Sequence, residues 1–246
     1  MNNKVHHLQG VNNEMLAYYF NDLQSDTTLF FFGGYSSDMT GTKATALNGW
    51  TESIGINYLR FDYSGHGQSS GDFSKGTLSK WISEAQLFFD KFKSKKNIVI
   101  GSSMGGWIAL LTAIQSKAID GIIGIASAAD FTKNEWDRIS EKERDHLVST
   151  GSIFFPDEDY GDFEVFYEFI KDGFQHEILN KPIKISCPVR LLHGKLDKVI
   201  PYNISEKIIK QLSNEDKSLT IIEDGDHSLS RQKDLEILFM TIKKLL

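Results

Sequence analysis

A single cysteine, Cys187, stands among the 246 residues. That excludes an intramolecular disulfide. Cys187 precedes Pro188 at the entrance of an expected strand, where a thiol is a buried structural group rather than a nucleophile. Only four prolines occur, and no Pro/Gly-rich linker, internal repeat or low-complexity tract divides the chain. Basic charge is also short. The 27 Lys and Arg against 33 Asp and Glu leave a net charge of −6, which excludes the basic face that nucleic-acid binding requires. Long apolar runs are missing too. The N-terminal MNNKVHHLQGVNN lacks the apolar core of a secretory signal. The nearest approach to a membrane span, 98–114, sits at the lower length limit and is interrupted by Gly-Ser-Ser. These absences point to a soluble, cytoplasmic protein with no integral membrane segment and no nucleic-acid partner.

Core material is present in quantity. Hydrophobic residues make up 40% of the chain and aromatics 12%, with 17 Phe. A chain of this length fits one large α/β domain, which commonly runs to roughly 200–250 residues. The pattern alternates: short apolar strands are expected at 15–20, 28–32, 57–61, 97–100, 121–126, 189–192 and 219–222. Helices are expected at 42–54, 77–92, 104–116, 201–212 and 233–246. Continuous apolar strands alternating with amphipathic helices indicate a mostly parallel sheet with helices on both faces. Residues 131–185 break this rhythm. They are rich in charge and aromatics, carry helical periodicity and offer no credible strand. We expect a helical lid insertion there, with 1–130 and 186–246 forming the core.

The chemistry gathers at Gly101-Ser102-Ser103-Met104-Gly105. This matches G-x-S-x-G with Ser103 central, directly after the strand NIVI and before the helical GWIALLTAI. A packing turn rich in Gly and Ser is the bland reading, but strand and helix on either side are the context a nucleophile elbow requires. The flanking glycines let the backbone close tightly and leave the hydroxyl pointing away from the sheet edge. The same turn places the Met104 amide at a helix N-terminus, where it can donate to a developing oxyanion. A serine hydroxyl needs a base, and the base needs an acid to fix its tautomer. VRLLHGKLDKVIP supplies Asp197 after one later strand, with Pro201 expected to open the following helix. SLTIIEDGDHSLS supplies His227 after the next. The order Ser, Asp, His on successive strand ends is far more specific than the pentapeptide alone.

Other residues compete for these roles. Asp130, after GIIGIA, is the alternative acid. Asp224 and Asp226 lie too near His227 in sequence to orient it and read as solvated loop charges. His193, before Gly194 at a strand end, reads as a satisfied structural histidine. His66 sits in the Gly-rich FDYSGHGQSSG, where Asp62 stabilises the turn. That stretch is no phosphate loop, because it lacks the Gly-Lys-Ser/Thr ending. The second oxyanion donor is expected in Gly33-Gly34-Tyr35-Ser36-Ser37. The Tyr35 amide is the candidate, and Gly34 the runner-up.

The blocks FFGGYSSDMTGTKA, RFDYSGHGQSSGDF, GSSMGGW, LLHGKLDKVIP and DGDH resemble the α/β-hydrolase superfamily. More narrowly, they resemble the subgroup of mitochondrial abhydrolase-domain enzymes described as mycophenolic acid acyl-glucuronide esterase and palmitoyl-protein thioesterase. The resemblance runs from about residue 28 to the C-terminus. It implies the α/β-hydrolase fold, a helical lid and a serine hydrolase of ester or thioester bonds that uses no cofactor and no metal. By position, Ser103 resembles the family nucleophile, Asp197 the acid and His227 the base, with the amides of Met104 and Tyr35 as oxyanion donors. Many relatives carry His-Gly or Pro-Gly where this chain has Gly33-Gly34, which loosens the oxyanion loop.

The expected function is hydrolysis of a small-molecule or acylated substrate through an acyl-enzyme. The lid aromatics Phe154, Phe155, Phe163, Phe166, Tyr167, Phe169 and Phe174 either line an acyl or aryl pocket or simply pack the lid. Two rivals stay open: a non-catalytic ligand-binding protein on the same scaffold, and another Ser-His-Asp activity such as a peptidase or acyltransferase. Oligomeric state is not encoded legibly in the sequence.

Overall fold

The computed structural model describes residues 4–155 and 163–246. Its centre is an eight-stranded sheet. The first two strands, β1 (His6–Gln9) and β2 (Met15–Asn21), form an antiparallel hairpin. Then come β3 (Thr27–Phe32), β4 (Asn57–Phe61), β5 (Lys96–Ser102), β6 (Gly121–Ile125), β9 (Val189–Gly194) and β10 (Lys217–Ile222). The order is β1-β2-β4-β3-β5-β6-β9-β10, and every pair from β4 onward is parallel. Antiparallel pairing is confined to one edge, where β2 joins β4.

The period-2 alternation of β3 shows how the sheet is covered. Phe30 and Phe32 pack on one face against Trp81, Phe88 and Phe89 of α2 (Leu78–Phe92) and Trp107 of α3 (Met104–Gln115). Leu29 and Phe31 pack on the other face, with Leu47 of α1 (Thr42–Ile54) and Leu238 and Ile242 of α8 (Gln232–Lys243). Both faces are therefore dry, which is why 29–32 of β3, 98–100 of β5 and 121–125 of β6 carry no charged or polar side chain. Thr77 caps α2, its side chain accepting the Lys80 amide at 3.2 Å. Helix α7 (Asn203–Gln211) begins two residues after Pro201, which stands ahead of the helix rather than inside its first turn.

Between β6 and β9 the chain leaves the sheet. This segment holds α4 (Phe131–Arg138), α5 (Glu141–Thr150) and α6 (Tyr167–Gly173). It also holds β7 (Ser152–Phe155) paired antiparallel with β8 (Phe163–Phe166), which corrects the expectation of a purely helical insertion without strands. Each strand has four residues, too few to show an alternation against the surrounding helical periodicity. Residues 156–162 of the expected lid lie outside the described residues.

Candidate active site

Strand β5 ends at Ser102, and α3 begins at Met104. Ser103 is the whole connection, with φ 54° and ψ −119°. A non-glycine residue held there costs on the order of 1–3 kcal/mol, and persists only where its surroundings over-determine it. The surroundings do so. The Ser103 amide donates to the Ile125 carbonyl at 2.9 Å, and its own carbonyl accepts the amides of Gly106 at 2.9 Å and Ala128 at 3.0 Å. Close backbone approach supplies the rest. A Cβ on Gly101 would lie 2.2 Å from the Gly105 carbonyl oxygen. The glycines thus let β5 and α3 meet tightly enough to lift one hydroxyl above the sheet edge.

That hydroxyl meets the two residues expected from the sequence. Ser103 Oγ lies 3.2 Å from His227 Nε2, and His227 Nδ1 lies 2.8 Å from Asp197 Oδ2. A carboxylate only accepts, so Nδ1 carries the proton and Nε2 is free to take one from the serine. Asp197 follows β9, and His227 follows β10, so both reach the serine from the carboxyl ends of adjacent strands. Asp197 is buried. Burial pushes its carboxyl up, but hydrogen bonds from His193 and His227 outweigh that and hold it at about 2. Its other oxygen accepts the amides of Val199 at 2.9 Å and Ile200 at 2.8 Å.

The expected oxyanion donors border this line. The Met104 amide is the first of α3 and has no intrahelical acceptor. Gly34 lies against Ser103, since a Cβ there would stand 3.3 Å from Ser103 Cβ. Gly34, the runner-up, is thus the loop residue seen beside Ser103, and Tyr35 follows it in the lining of the same cleft. The Tyr35 ring is anchored among Phe73, Trp81 and Phe169, and its hydroxyl donates to the Glu164 carbonyl at 2.8 Å. A cleft of about 630 Å³ opens over Ser103 and His227, with Phe131, Phe154, Phe163 and Val199 in its walls.

In this fold and with this site, the sequence comparisons have a structural counterpart. The family described as "Serine aminopeptidase, S33" matches residues 24–156. The Mus musculus protein named palmitoyl-protein thioesterase ABHD10, mitochondrial, is 33% identical over 221 residues, which span 89% of this chain and 74% of the mouse protein. The chain belongs to the α/β-hydrolase family. Solved α/β hydrolases superpose closely. A putative hydrolase from Agrobacterium vitis S4 gives a TM-score of 0.93 at 35% identity, covering 98% of both chains. The mouse α/β-hydrolase domain-containing protein 10 gives 0.91 at 32% identity, again covering 98% of both.

The competing residues of this α/β hydrolase are occupied elsewhere. Asp130 accepts the amides of Ile178 at 2.9 Å and Leu179 at 3.0 Å, so it fastens the inter-strand segment instead of orienting His227. Burial raises its pKa. His66 is buried with Nδ1 3.2 Å from the Ser64 carbonyl, and burial pushes it down to about 4. Asp62 accepts the amides of Met39 at 2.6 Å and Gln68 at 2.8 Å, fixing its turn as expected. Asp224 is an exposed charge paired with Arg231 and Lys233. Asp226 differs from the solvated charge expected. It accepts the Leu229 amide at 2.9 Å and the Ser228 hydroxyl at 3.1 Å, shaping the turn that presents His227.

The sequence did not single out Lys43. It lines the cleft and donates to the Ser228 carbonyl, one residue beyond His227. Burial lowers its ammonium to about 8, against the pull of Asp226 and Asp234. Nothing in its local pattern marks it, because the contact spans from the start of α1 to the loop after β10. Of the aromatics in the segment between β6 and β9, Phe154 and Phe163 border the cleft, whereas Phe169 packs on Trp81 and Phe174 on Trp136. The segment thus divides its aromatics between wall and core.

Proposed function

We propose that this α/β hydrolase is a serine esterase or thioesterase that works through an acyl-enzyme. One observation carries the reading: a serine in a strained elbow, in hydrogen-bonding line with a histidine and a buried, ionised aspartate. Ser103 Oγ attacks the substrate carbonyl carbon while its proton passes to His227 Nε2. The tetrahedral oxyanion is held by the amides of Met104 and Tyr35. Collapse expels the alcohol or thiol, which leaves with the proton from His227. Water then repeats the sequence in reverse, with His227 as base, and frees the carboxylic acid. Asp197 keeps Nδ1 protonated and stabilises the imidazolium in both halves.

The mouse relative's name, a palmitoyl-protein thioesterase, supports including thioesters among the substrates. The 131–185 segment serves as the lid, and its Phe154 and Phe163 form part of the acyl-side wall. Ser103→Ala should lower p-nitrophenyl ester and acyl-thioester turnover by about 10⁴-fold or more. It should also abolish labelling by a fluorophosphonate, with the circular dichroism spectrum unchanged. Labelling that survives the substitution sinks the assignment. Kinetics over oxygen-esters and thioesters of increasing acyl length define the substrate the cleft accepts.

A further inference from the structure

His193 is the penultimate residue of β9, without solvent exposure and four residues before Asp197. Its Nε2 lies 3.0 Å from Asp197 Oδ2 and 2.9 Å from the Ile200 carbonyl oxygen. Its Nδ1 lies 2.7 Å from Ser205 Oγ. Both neighbours of Nε2 are acceptors, so the proton of the neutral ring sits on Nε2. Nδ1 is then bare and accepts from the Ser205 hydroxyl. One imidazole N–H is therefore directed at the same carboxylate oxygen that receives His227.

The carboxylate is saturated as a result. Oδ1 accepts the amides of Val199 and Ile200, while Oδ2 accepts from His193 and His227. Of these four donors only His227 must change its protonation state in the proposed reaction. The backbone amides fix Oδ1, and His193 gives Oδ2 a permanent donor on the side away from the nucleophile's base. A buried histidine that served only to fill space would need partners, but none of them would have to be this oxygen.

Resting on the triad reading above, we infer that His193 is a positioning residue for Asp197. Its Nε2–H fixes the rotamer of the carboxylate and so the orientation of the His227 ring. Ser205, from α7, holds His193 in the required tautomer. The line then runs Ser205, His193, Asp197, His227, Ser103, with each member in hydrogen-bond contact with the next.

Two amide substitutions separate this role from packing, because each reproduces one ring nitrogen. The amide nitrogen of Gln reaches the place of Nε2, and that of Asn the place of Nδ1. His193→Gln should keep kcat within about threefold of the parent. His193→Asn, still able to bond Ser205 but short of Asp197, should lower kcat by about tenfold or more with KM unchanged. Its fluorophosphonate labelling rate should fall in parallel, with rates expressed per titrated site so that loss of folded protein does not count. Equal kcat for the two variants, or a loss confined to thermal stability, overturns the inference. If the parent labels at Ser103 and both variants label at its rate, only the role of His193 fails. If the parent does not label at all, the triad reading and this inference fall together.

Discussion

Gly105 faces Phe32 so closely that a Cβ on the glycine would stand 2.1 Å from the Phe32 carbonyl oxygen. No side-chain rotation relieves a clash with backbone at that distance, so the end of β3 and α3 would have to part. Gly105→Ala should destabilise the protein by about 3 kcal/mol or more, or prevent soluble expression. Gly33 is two residues earlier than Tyr35, and a Cβ there meets nothing within 4 Å. Gly33→Ala should therefore stay within about 0.5 kcal/mol of the parent. Urea denaturation of the pair distinguishes a glycine required by contact from one that is merely present.

The elbow itself is a store of strain. Replacing Ser103 by Gly removes the side chain that objects to φ 54°, whereas replacing it by Ala leaves the objection in place. Ser103→Gly should unfold at a higher temperature than Ser103→Ala, by about 1 kcal/mol after the entropy cost of glycine. Both variants are expected to be inactive. Equal melting temperatures would mean that the backbone at this position is at ease.

Asp130 offers a check on which carboxylate serves the site. Asp130→Ala strands two amides, those of Ile178 and Leu179, at a cost of about 2–4 kcal/mol. Labelling of Ser103 in the folded fraction should continue at the parent rate. A loss of labelling per folded molecule would return Asp130 to the list of acids.

Asp197 links stability to pH. Its folded pKa of about 2 lies below the usual 3.8, so the unfolded chain takes up the proton first as pH falls. The stabilisation is therefore complete above about pH 4 and lost between there and pH 2, a change of about 2 kcal/mol. Asp197→Asn lacks it. The stability gap between the parent and Asp197→Asn should narrow as pH drops from 5 to 2 in chemical denaturation. A gap that stays constant removes the charge-based account.

Much of this architecture was legible because local and global demands coincide. β4 falls on 57–61 and α1 on 42–54 as expected, since Tyr58, Leu59 and Phe61 mark a short strand and Leu47, Trp50 and Ile54 recur at helical spacing. Ser103, Asp197 and His227 could be found because each follows a strand and the fold fixes their order. What escaped depends on contacts between distant segments. The antiparallel pair β7 and β8 consists of two four-residue strands, too short to show an alternation. Lys43 gains its place only when α1 packs beside the His227 loop. His193 looked like an ordinary core histidine because its residue type and strand-end position say nothing of the oxygen it faces.

The excursion between β6 and β9 leaves from one strand and returns on its immediate neighbour, with Ile122 opposite Val189. The sheet closes beneath it as though nothing intervened, and Asp130 acts as a clasp at the exit. The proposed nucleophile, acid and base, Ser103, Asp197 and His227, all lie outside this stretch. In the proposed reaction the reacting residues and part of the cleft wall therefore belong to separable pieces: a different excursion clasped at Asp130 would keep Ser103 in place and alter only the wall that Phe131, Phe154 and Phe163 supply.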